Sequence, residues 1–123
     1  MSTHEFDGPA AAVQHATNGA GSWRSAAHAQ QSATPDHSDW YAITGEITDT
    51  LRCLATLASV FAQQINAYGD GRVLRDDAGA DPAVRLVDAR AFAYELRAHL
   101  DAADYVANRF WSEISHVAVE ESR

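Results

Sequence analysis

From Trp40 onward the bulky apolar residues recur at helical spacing. Trp40, Ile43, Ile47, Leu51, Leu54, Ala58, Phe61, Ile65 and Tyr68 are separated by steps of three and four throughout. That period places all of them on one face of a single helix. The flanking residues supply both ends. Thr34 suits the N-cap, Pro35 the first helical position, and Asp36 the positive end of the helix dipole. Gly69, directly after Tyr68, suits the left-handed residue that ends a helix. Gly45 lies inside the helix and costs it about 1 kcal/mol against alanine. The pattern therefore predicts a helix over about 35–68.

Residues 69–81 read GDGRVLRDDAGAD, with three glycines and four aspartates, and predict a loop. Asp70, Asp76, Asp77 and Asp81 do not have the spacing of a calcium-binding EF-hand loop. Asp81-Pro82 repeats the pairing of an N-cap with proline at the first helical position. A second periodic run follows: Ala89, Ala93, Leu96, Leu100, Ala103, Ala107, Phe110, Ile114 and Val117. It predicts a helix over about 82–117. Two long helices with one short connection give an antiparallel hairpin over 34–119 in an all-α fold, with no strands. Setting Tyr68 beside Pro82 brings Trp40 and Tyr41 to the level of Phe110 and Trp111. An aromatic cluster is expected at that open end, as a packing lock or as an interface hot spot in which Trp40 and Trp111 are the anchors.

The second helix is also apolar on its other side. Val84, Val87, Ala91, Tyr94, Ala98, Ala102 and Tyr105 again step by three and four. Asp88 and Glu95 lie along one edge of this stripe, Arg90 and Arg97 along the other. A hairpin covers only one face of each helix, so the second stripe predicts association with another chain. The closed solution is a two-fold homodimer of hairpins, a four-helix bundle, with Val84, Val87, Ala91, Tyr94, Ala98 and Tyr105 at the interface.

Residues 1–33 carry no comparable period. They are rich in Ala, Ser, Gly, Gln, Thr and His, with one large apolar cluster around Trp23, and are expected to form a disordered or weakly ordered tail. His4, His15, His28 and His37 have spacings that match no metal motif.

Composition narrows the chemistry. The chain of 123 residues has room for one domain. The nine basic residues are all arginine, and the absence of lysine removes a P-loop lysine, a Schiff-base lysine and a lysine general base. The formal net charge of −8 disfavours direct contact with nucleic acid, which calls for a basic face. Cys53, the one cysteine, forms neither an internal disulfide nor a cysteine zinc site, and is expected to be a buried, inert thiol. No apolar run spans a membrane, and Met1 to Phe6 does not read as a secretory leader, so a cytoplasmic location is expected. There is no phosphate loop and no nucleophile elbow. The chain reads as a non-enzymatic interaction or adaptor module without a cofactor.

Two other functions are compatible with the sequence. The acidic surface suits a regulator that occupies a basic partner protein, although its acids are interleaved with arginine. Glu113 and His116, three apart on one helix, have the step used by metal-binding ferritin-like bundles, but no helix-1 glutamate lies at their level. Glu95 and His99 are four apart and suit a structural pair beside the main stripe.

Overall fold

The computed structural model describes residues 9–120. It is all-α, with three helices and no strand among the described residues: α1 (Pro9–Gln31), α2 (His37–Tyr68) and α3 (Pro82–Ser115). The chain divides into two units, one up to Asp36 and one from His37.

The first unit departs from the expected tail. Residues 9–31 form a continuous helix. It rests on composition more than on an apolar stripe: Pro9 occupies the first position and eight of the 23 residues are alanine, the strongest helix former. Gly19 and Gly21 weaken it without breaking it. Gln14 donates to Asn18 at 3.1 Å and Thr17 to the Val13 carbonyl at 3.0 Å, both within the helix. Residues 1–8 of the expected tail, His4 included, lie outside the described residues.

In the second unit α2 begins at His37, two residues beyond the expected proline start, and ends at Tyr68. Gly69 does not take the left-handed conformation expected of it. Gly71 does (φ +72°), and so does Gly79 further along the loop (φ +80°). Asp81 caps α3 as its sequence suggests: its carboxylate accepts from the Ala83 amide at 2.9 Å, with Pro82 next in line. At the other end the His116 amide closes α3 by donating to the Glu113 carbonyl.

α2 and α3 pack against each other antiparallel. Four contacts fix the register. Arg90 donates to Asn66, Arg97 to Ser59 at 2.6 Å and Arg52 to Asp104 at 3.4 Å, while Trp111 lies 3.8 Å from the position a Gly45 Cβ would take. Each step of seven down α2 matches a step of seven up α3. A contact pattern that holds its phase every seven residues is that of an antiparallel coiled coil.

The register also corrects the level of the aromatic residues. Gly69, not Tyr68 beside Pro82, comes level with Leu86. The first turn of α3 extends past α2 and covers the loop instead. There Asp76 accepts from the amides of Ala78 (2.8 Å) and Ala80 (3.0 Å) and from Arg85 (2.7 Å). Its side chain is only 7% exposed. The Arg85 hydrogen bond, then the Ala80 amide, hold the Asp76 carboxyl below its ordinary value near 3.8. The stability it contributes is therefore present above that value and lost as pH falls through its lower folded value. An NMR titration of Asp76 is expected to give a midpoint below 3.8. Asp76→Asn is expected to accelerate amide exchange at Ala78 and Ala80.

Candidate interaction surface

The fully buried positions of the α2–α3 seam are all small residues. On α2 the buried positions are Thr44, Thr48, Ala55, Ala58 and Ala62, with Leu51 and Ile65 half-buried between them. The Thr48 hydroxyl is satisfied by the Gly45 carbonyl at 2.8 Å. On α3 the seam runs through Leu86, Ala93, Arg97, Leu100, Asp104, Ala107, Trp111 and Ile114. In each helix this seam shares one column with the stripe of bulky residues and exchanges the other. α2 keeps Leu51, Ala58 and Ile65 but turns in Thr48, Ala55 and Ala62. α3 keeps Ala93, Leu100, Ala107 and Ile114 but turns in Arg97, Asp104 and Trp111. One column of a heptad is about 50° of rotation.

The rotation leaves one bulky column of each helix outside the seam. On α2 it is Trp40, Ile47, Leu54, Phe61 and Tyr68, one every seven residues, 37–48% exposed. On α3, which ends at Ser115, it is Ala89, Leu96, Ala103 and Phe110, with the two large members 48–49% exposed. In an antiparallel pair these equivalent columns flank the seam on the same side. The surface depressions agree: Tyr68 lines one with Pro82, Arg85 and Leu86, whereas Asn66 lines another with Val87 and Arg90. Counting along both helices from the register contacts sets Ile47 level with Phe110, Leu54 with Ala103 and Phe61 with Leu96. Outside these columns Leu57, Phe92 and Val106 widen the apolar side.

The other side of the pair is polar and closed. Arg90 and Arg97, expected to border a second interface, reach across to α2 instead. Asp104 accepts from Arg52 and from Asn108 (3.1 Å), and Arg97 also donates to Asp101 at 3.3 Å. The acids that gave the chain its negative character are thus partly committed to arginines of the same chain.

Comparison with protein-family models, curated proteins and solved structures gives no match.

The residues singled out in the sequence fall into three groups. Val84, Val87, Ala91, Tyr94, Ala98 and Tyr105 are exposed, on the outer side of α3 away from the bulky columns. Arg90 lies over the Tyr94 ring and Arg109 over the Tyr105 ring, at 5.9 Å and 5.8 Å. The expected aromatic cluster is split. Tyr41 and Trp111 meet at 4.9 Å between ring centroids, but Trp40 and Phe110 belong to the open columns and turn outward. The Trp111 indole nitrogen is buried with no hydrogen-bond partner. Trp111 also sits against Gly45 at ordinary van der Waals distance, so Gly45→Ala is expected to raise stability by about 0.5–1 kcal/mol. A denaturant midpoint measurement checks this.

Two other residues differ from expectation. Cys53 is exposed, because its column points away from α3. His99 is 77% exposed, and its 3.6 Å approach to Glu95 is a surface contact rather than a half-buried pair. Glu113 and His116 are exposed at the end of α3. Among the described residues no group of three or more His, Cys, Asp or Glu is placed to hold a metal ion. No helix there is long and apolar enough to cross a membrane.

Proposed function

We infer that this protein is a non-enzymatic interaction module that self-associates through the bulky columns of α2 and α3. One observation carries the reading: one bulky apolar column of each helix lies outside the seam that joins them, on the same side. Isolated exposed apolar residues are ordinary, but a contiguous two-helix apolar face marks an association surface. The stripe of Val84, Val87, Ala91, Tyr94, Ala98 and Tyr105 is the weaker candidate. Two of its positions are alanine, and its two tyrosines already carry arginines.

Light scattering on two variants separates the surfaces. Under this reading Leu54→Asp disperses the assembly and Val87→Asp leaves it intact. The reverse result would move the interface to the tyrosine-bearing stripe of α3.

A further inference from the structure

We propose that the occupant of the bulky face is a second copy of this chain, with α2 of each copy packed against α3 of the other about a two-fold axis parallel to the helices. The proposal rests on the self-association reading above and adds the arrangement.

Three observations lead to it. The first is angular. In a four-helix bundle each helix has two neighbours about 90° apart, and its bulky stripe points between them, about 45° from each. The stripes of α2 and α3 are both turned about 50° from the α2–α3 seam, and toward the same side. Each helix is therefore oriented for one further neighbour on that side. Two hairpins supply one another with both.

The second is area. Ten bulky residues face that side, and at these exposures each offers on the order of 80 Å², roughly 800 Å² in all. A stable interface of standard size buries about 800 Å² per partner. A second copy matches that requirement without help from any other protein.

The third is size matching, and it selects the axis. An axis parallel to the helices preserves levels, so Leu54 meets Ala103 of the partner subunit and Phe61 meets the partner's Leu96. At the central level a large residue then meets a small one on both seams, and Tyr68 likewise meets the partner's Ala89, as interdigitating cores do. An axis across the helices would set α2 against α2 and α3 against α3. Leu54 would then meet its own copy and Ile47 the partner's Phe61, while on the opposite seam Ala103 would meet its own copy and Leu96 the partner's Phe110. The central level of one seam would be crowded and that of the other left with a gap, a mismatch that packed interiors avoid.

Disulfide trapping tests the arrangement on the full chain. Leu54→Cys and Ala103→Cys are made as separate proteins, each also carrying Cys53→Ser. A disulfide needs Cα atoms within about 7 Å, so only residues facing each other are trapped. The mixture is expected to form the cross-linked pair at least tenfold more than either protein alone. Leu54→Cys linking to itself as efficiently as in the mixture would overturn the arrangement in favour of the transverse axis. No cross-link in the mixture, with the chain single in sedimentation, would overturn the second copy as occupant. The Leu54→Asp comparison reports separately on the face itself: assembly that survives Leu54→Asp defeats the self-association reading, whatever the cross-links show.

Discussion

Leu54→Asp is expected to weaken self-association by at least a thousandfold. Leu54 is the middle member of the bulky α2 column and lies outside the seam within its own chain. Its replacement therefore leaves the α2–α3 packing of each hairpin in place, and helical content measured by circular dichroism should hold. In the proposed dimer the same position becomes central. Each copy loses about 2 kcal/mol of apolar burial. Each also buries a carboxylate with no partner, a further cost of a few kcal/mol. A two-fold interface contains the change twice. A total above about 4 kcal/mol corresponds to a thousandfold in affinity. Sedimentation equilibrium over a range of concentrations reads the change directly.

Ala62→Leu is expected to do the opposite: to damage the hairpin itself. Ala62 is fully buried, at 0% exposure, in the small-residue seam with Ala55 and Ala58. Small side chains there set how closely α2 and α3 approach, since interaxial distance follows the residues at the contact. Three added carbons have no space unless the helices separate, and overpacking of this kind costs about 1–3 kcal/mol. Separation would also pull Arg97 from Ser59 and Arg90 from Asn66 on the polar side. A fall in melting temperature of about 10 °C is expected. Phe61→Leu, one residue away and far bulkier, should shift it little in the unassembled chain. The contrast is informative because ordinary hydrophobicity would rank the two positions the other way.

That inversion explains what was legible in the sequence and what was not. The all-α class, the loop between Tyr68 and Pro82 and the Asp81-Pro82 start were legible because each has a local chemical cause: a 3.6-residue period, a glycine and aspartate cluster, a cap. The seam was misread by one column because residue size dominates a periodicity reading. Leu54 and Phe61 announce themselves, whereas Ala55, Ala62 and Thr48 do not. A stripe also records the sum of every neighbour a helix has, so under the proposed dimer it would point between two partners rather than at one. The arginines at 90 and 97 do border the second stripe, but their partners are Asn66 and Ser59 of α2 rather than another chain. The register was misjudged because the first turn of α3 holds Asp76 of the loop rather than the end of α2. α1 was missed because its helix depends on alanine content, which a search for apolar spacing undervalues. Asp76 had a partial signal: an aspartate shortly before a glycine in a turn readily accepts backbone amides.

The central claim is that one hairpin leaves the bulky columns of α2 and α3 for an identical neighbour. The mass of the unmodified full-length protein in solution, followed by sedimentation equilibrium across micromolar concentrations, tests it most directly. The account predicts a particle of two chains, twice the 13.3 kDa of one. A particle that stays at one chain throughout that range would contradict it.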